Sequence, residues 1–149
     1  MKENLKLQWI KTGIISGCMT LVVYPLMILV DLPVQLTLLL AVSFGVLFML
    51  ASIGLYNFVS INQRTVRLQS ALLFNIIGCT VVVMMFTIQL ALFSEGKYTG
   101  TDVSKELAKH TFHLVNLVQL SLDIVWDVFI SMGTILFASS MFKHPGLGK

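Results

Sequence analysis

Four long apolar runs constrain this chain more than any other feature of its sequence. They cover about residues 10–30, 34–58, 68–93 and 114–142. A helix needs about 20 apolar residues to cross about 30 Å of hydrocarbon. Lipid satisfies no backbone hydrogen bonds, so each run must form its own helix. The sequence therefore predicts an all-α integral membrane protein with four transmembrane helices, forming a single domain over residues 1–149.

Composition supports the membrane assignment and excludes other classes. The chain is 56% hydrophobic and only 11% charged, whereas soluble domains carry about 25% charged residues. Its net charge of +3 does not come from a basic patch, because the lysines and arginines stand at the ends of the apolar runs. We therefore expect the lipid bilayer as a partner and no nucleic acid.

The same basic residues predict the orientation, since short loops on the cytoplasmic side of a membrane are enriched in lysine and arginine. With a cytoplasmic N-terminus, seven basic residues lie inside: Lys2, Lys6, Lys11, Arg64, Arg67, Lys143 and Lys149. Three lie outside, diluted by acidic residues: Lys97, Lys105 and Lys109. The sequence thus predicts a multi-pass protein of the cell (inner) membrane with both termini in the cytoplasm.

The links between the runs predict how the helices are arranged. The first two runs are separated by about three residues and the next two by "SINQRTVRLQ". Short links favour antiparallel neighbours, hence an up-down-up-down four-helix bundle. The third link is longer, and after Thr101 it predicts an amphipathic helix over about 102–113, which extends the last helix on the outer side. In the second run, Gly45, Ser52 and Gly54 are typical of close helix packing.

A polar seam runs along the last helix. At 100° per residue, ten polar or charged side chains fall within an arc of about 140°. They are Asp102, Glu106, Lys109, His110, His113, Asn116, Asp123, Asp127, Ser131 and Thr134. An aspartate at the centre of a membrane helix costs about 2.5–3.5 kcal/mol. The seam is therefore expected to face the bundle or a wet cavity, with Asp127 nearer the outer surface than the inner one.

Three interpretations of Asp123 and Asp127 remain open at this stage. Amides and hydroxyls of neighbouring helices, such as Asn75 and Gln89, or water could satisfy them structurally. They could handle ions or protons, with at least one aspartate protonated or a cation bound between them. They could also belong to a ligand or catalytic pocket with Asn116 and Ser131. Trp126 stands between them, and tryptophan usually acts as an anchor at the membrane interface.

A metal site is the one cofactor that the sequence suggests. His110 and His113 are spaced i and i+3, with Glu106 one turn earlier, so all three could reach a metal from one helical face. Two histidines and one acid are a minimal ligand set that is common by chance, so the pattern favours two interfacial histidines over a metal site. No other cofactor is predicted.

The last run and its exit resemble known sequences. "LVQLSLDIVWDVFISMGTILFASSMFKHPGLGK" is similar to segments of uncharacterised multi-pass membrane proteins of bacteria, in which an aspartate-tryptophan-aspartate helix precedes a basic turn with His-Pro and glycine. The resemblance covers about thirty residues. It implies a bacterial membrane protein and no mechanism.

Three functional hypotheses follow. The first is a small transport or channel-like protein that handles ions or protons along the seam and forms a homo-oligomer, because four helices enclose little space. The second is a module without transport activity, either a subunit that assembles with a membrane partner protein or a receptor for a small apolar ligand. The third is an enzyme acting on a lipid or quinone, with Asp127 as acid or base. The sequence disfavours it, because it shows no nucleophile or convincing metal set.

Overall fold

The computed structural model describes residues 2–62, 64–95 and 102–142, and the described chain is all-helical. Its elements are α1 (Lys2–Leu29), α2 (Val34–Val59), α3 (Val66–Glu95) and α4 (Asp102–Met141). All four are long and apolar enough to span a membrane, which confirms the predicted all-α class and the predicted number of membrane-length helices.

Two helices differ in extent from the prediction. α1 starts at Lys2, about eight residues early, and continues through Pro25. α4 is one uninterrupted helix of 40 residues, about 60 Å long. The amphipathic segment at about 102–113 and the apolar segment at about 114–142 are therefore continuous. No proline or glycine falls between them to break the helix.

The first turns of α2 and α3 are capped in different ways. Pro33 precedes α2 in an extended conformation, and its carbonyl accepts the amides of Leu36 and Thr37. Thr65 caps α3, because its hydroxyl oxygen accepts the amide of Leu68 at 3.2 Å. Both starts satisfy backbone groups that a helix end leaves open.

α1 and α2 approach so closely that only glycine fits between them at one point. A Cβ added at Gly13 would lie 2.5 Å from the Cα of Gly54. Further along, the rings of Tyr24 and Phe44 stand 5.1 Å apart. Contact positions thus rise along α1 as they fall along α2. The predicted close packing at Gly54 is confirmed, and Gly13 is its counterpart.

α3 packs between α2 and α4, and its contacts relate positions on α2 to positions on α4. A Cβ added at Gly45 would lie 3.2 Å from the carbonyl oxygen of Cys79, so close packing at Gly45 is also confirmed. On the other side of α3, a Cβ at Gly78 would lie 2.8 Å from the side chain of Ile130. A Cβ at Gly45 would also meet the side chains of Val82 and Val83, so Gly45 is level with about residue 81. Ile130, level with Gly78, therefore lies about 4.5 Å further from Pro33 than Gly45 does.

The helices form an open row. Each helix packs on the next, α2 touches α4 slightly, and α1 makes no contact with α3 or α4 among the described residues. The cause lies on α2, where Gly54 faces α1 and Gly45 faces α3. Nine residues apart, they point to opposite sides of the helix. The arrangement is more open than the compact bundle expected from the short links.

Two apolar clusters hold the row together. One, near the link between α2 and α3, contains the buried side chains of Val59, Leu68, Ala71 and Phe137. The other lies near the middle of α2 and α3, around Phe44, Val82 and Met85. This second cluster packs against α4 and sets the height of the aspartates.

Candidate functional site: the polar face of the last helix

The candidate site is a line of polar side chains on α4, here called the polar face. It consists of Asn116, Asp123, Asp127, Ser131 and Thr134. Asn116 and Asp123 are half-buried, whereas Asp127, Ser131 and Thr134 are exposed. The spacing of three, four and seven residues keeps them on one side of the helix. The predicted seam is therefore one line on α4, but Asp127 lies on the surface of the packed chain.

The packing fixes the height of both aspartates. Gly45 is eleven residues into α2, and Asp127, three residues before Ile130 on α4, lies level with it. At 1.5 Å per residue, Asp127 is about 16 Å and Asp123 about 10 Å from the start of α2. Both carboxylates thus lie in the half of the row next to Pro33.

Neither aspartate has an ion-pair or hydrogen-bond partner in the part of the chain that the structure describes. Asn75, a predicted partner, is buried in α3 and donates from Nδ2 to the carbonyl oxygen of Ala71 at 3.0 Å. Its amide packs against Gly133, about two turns from Asp127. Gln89 is half-buried and reaches neither aspartate. The amides named as structural partners therefore leave both carboxylates unsatisfied.

Trp126 has a packing role that the sequence did not predict. Its indole lies against the cluster of Phe44, Val82 and Met85, and its Nε1 is buried without a hydrogen-bond partner among the described residues. Its ring joins α4 to α2 and α3, so it does not project outward as an interfacial anchor would. By holding this side of α4 inward, it leaves Asp127, one residue later, on the outside.

The polar face borders an open groove between α2, α3 and α4. The groove has a volume of about 230 Å³ and includes Ser52, Asn75, Thr134 and Phe137 in its lining. Ser52 donates to the carbonyl oxygen of Phe48 at 3.0 Å. The sequence predicted Asn75 as a neighbour of the seam but not Ser52. The available signal was that Ser52 is a polar residue inside an apolar run.

A second groove lies between α1 and α2, with a volume of about 250 Å³. Ala51 and Leu55 line both grooves, so the two adjoin across α2. Pockets for drug-sized ligands usually measure about 300–1,000 Å³ and enclose most of the ligand. These open and largely apolar grooves are smaller than that range.

The residues proposed for a metal lie on the exposed beginning of α4. Glu106, His110 and His113 are all exposed, as is every residue from 105 to 114. Within the described ranges, no group of three or more histidine, cysteine, aspartate or glutamate side chains is placed to hold a metal ion. Their position on one helical face does not bring these three side chains together around a single ion.

Comparison with known proteins does not assign this chain to a family. No protein-family model matches the sequence, no curated protein is similar to it at a significant level, and no solved structure is significantly similar to its fold. Function must therefore be inferred from the polar face and its surroundings.

Proposed function

We propose that this chain is an integral, multi-pass protein of the cell membrane whose four helices cross in up-down-up-down order, with both termini in the cytoplasm. Large apolar side chains are exposed on every helix: Leu21, Leu29, Leu39, Leu73 and Ile135 are each 58–80% exposed. Exposed apolar surface of this extent needs lipid or protein to cover it. The distribution of basic residues supports the orientation.

Within that membrane, we propose that the chain is an assembly module without transport activity of its own, which docks to another membrane protein through α4. The observation that carries this proposal is the exposure of Asp127 on a membrane-length helix, with no partner in the described chain. Intramembrane acids normally face protein or water. The open row of helices leaves the polar face accessible to a partner.

A change at Asp127 tests the proposal. We expect the wild-type chain, extracted from its native membrane in mild detergent, to migrate on native gels as a complex well above its own 16.6 kDa. Asp127→Asn is expected to reduce the yield of that complex severalfold, because the amide removes the charge that the partner would recognise.

Asp31→Asn provides the matched control, since it makes the same chemical change at an exposed position outside the helices. It is expected to leave the complex intact. A wild-type chain that migrates only as a monomer, or a complex that Asp127→Asn leaves unchanged, would refute the assembly role.

Ion or proton handling is the second candidate, favoured by the continuity of the polar face from Asp123 to Thr134. The packed chain shows no enclosed polar passage among its described residues, so a conducting path would have to form between copies. For this function we expect purified protein in proteoliposomes to pass protons or cations, with Asp127→Asn lowering the flux and Asp31→Asn leaving it unchanged. Equal flux in both variants would eliminate the candidate.

A further inference from the structure

The charge on the polar face defines the chemistry of what docks there, granted the assembly role proposed above. In a bilayer with about 30 Å of hydrocarbon centred on α2, which is about 39 Å long, Asp127 lies about 12 Å inside the apolar layer and Asp123 about 6 Å inside. A carboxylate at the centre of a membrane helix costs about 2.5–3.5 kcal/mol. Asp127, close to the centre, bears most of that cost when unpaired.

The described chain offers no cation at this height. Lys109 is on the same helix but eighteen residues away, about 27 Å along the axis. Lys11 and Arg67 lie at the opposite end of the row, on the side where α3 begins. No lysine or arginine stands between residues 67 and 97 or between residues 109 and 143 of the sequence. The charge on Asp127 is thus uncompensated within the spans.

A second copy of this chain does not supply the missing charge. A parallel copy inserted in the same orientation brings its own aspartates to the same height and its basic residues to the same distant heights. Like charges placed together in a medium of low dielectric constant repel. Charge complementarity therefore favours a different chain.

We infer that the polar face binds a transmembrane helix of another protein that carries a lysine or arginine about 12 Å inside the apolar layer, measured from the side of Pro33. The slight contact between α2 and α4 leaves room for that helix beside the groove. Its cation pairs with Asp127 and Asp123, while Ser131 and Thr134 provide further polar contacts along the helix. Intramembrane acids and bases commonly pair in this way.

Synthetic single-span peptides test the inference directly. The first is a leucine- and alanine-rich transmembrane peptide with one lysine about 12 Å inside the apolar layer, and the second has leucine at that position. Each carries a fluorescent acceptor, and the full-length protein carries a donor on an Ile61→Cys variant lacking its other cysteines. Energy transfer in liposomes of neutral lipid measures the binding.

We expect the lysine peptide to bind about tenfold more tightly than the leucine peptide, which corresponds to about 1.4 kcal/mol. Asp127→Asn should remove that preference, and Asp31→Asn should preserve it. Equal binding of the two peptides by the wild-type protein would overturn the inference, as would a preference that survives in Asp127→Asn.

The experiments distinguish an incorrect basic partner from an incorrect assembly role. Donor- and acceptor-labelled copies of the protein, mixed without peptide, report association between copies. If the native complex depends on Asp127 without association between copies, and the peptides bind alike, the assembly role holds and the basic partner is excluded. If the native complex is absent, the assembly role itself fails.

Discussion

At the scale of single residues, two glycines decide how closely α1 and α2 pack. Gly13 and Gly54 bring the two backbones into contact, and a Cβ at Gly54 would also lie 2.9 Å from the carbonyl oxygen of Trp9. Membrane helices use such small residues because close approach increases van der Waals contact. The backbone atoms at this contact cannot move aside as a flexible side chain could.

Gly54→Ala is therefore expected to destabilise the protein by about 1–3 kcal/mol, the usual cost of overpacking. Chemical unfolding in detergent micelles, followed by circular dichroism, measures the loss. Gly17→Ala is the matched control, because its new Cβ would meet only the Cβ of Ala51 at 3.8 Å, an ordinary contact. The control should be as stable as the wild type or more stable, since alanine is the better helix former. Equal stability of both variants would contradict this account.

Trp126 shows where residue-level prediction ends. A tryptophan beside acids near the end of an apolar run suggests an interfacial anchor, and the sequence alone offers no contrary signal. The ring instead packs on Phe44, Val82 and Met85. Those residues are distant in the sequence, and their proximity depends on the heights at which α2, α3 and α4 pack.

At the scale of elements, periodicity predicted the polar face of α4 but not its surroundings. The steps between Asn116, Asp123, Asp127, Ser131 and Thr134 place them on one side of any α-helix. Which neighbour that side meets depends on packing. Gly78 and Gly133 bring α3 against another side of α4, facing Ile130 and Asn75. Asp127 is consequently exposed, where the cost of a buried charge had suggested the interior.

The beginning of α4 illustrates the same limit. Ile130 lies opposite Gly78, so the last residue of α3, Glu95, lies level with about residue 113. The preceding part of α4 therefore extends about 17 Å beyond the end of α3. Helical propensity predicted both segments, while their continuity follows from the lack of any helix-breaking residue between them.

At the scale of the whole molecule, the number of membrane-length helices could be predicted because the membrane leaves few alternatives. The open row could not be predicted. Short links require consecutive helices to be neighbours, but they do not specify whether α1 returns to close a bundle with α4. The placement of Gly45 and Gly54 on opposite sides of α2 determines that here.

The proposed crossing order makes a prediction for the whole chain. Single cysteines are placed at the exposed positions Asp31, Ile61 and His110 in a variant without Cys18 and Cys79. In intact cells, an impermeant maleimide is expected to label cysteine at 31 and 110, on the outer side, and to label position 61 only after permeabilisation. The variant without cysteines should remain unlabelled. Labelling of position 61 in intact cells would exclude the orientation, and equal accessibility of 31 and 61 would exclude the crossing order.

The open row also has a consequence for biosynthesis. Nearly all of its interhelical contacts join helices that are consecutive in the chain. Chains rich in such local contacts need little loop closure before their contacts form. During synthesis, α1 and α2 can therefore pair before α3 exists, and each later helix finds its main neighbour already inserted. We expect α1 and α2 to be packed while α3 and α4 are still being made, with the outer side of α4 the last described surface left for a partner to cover.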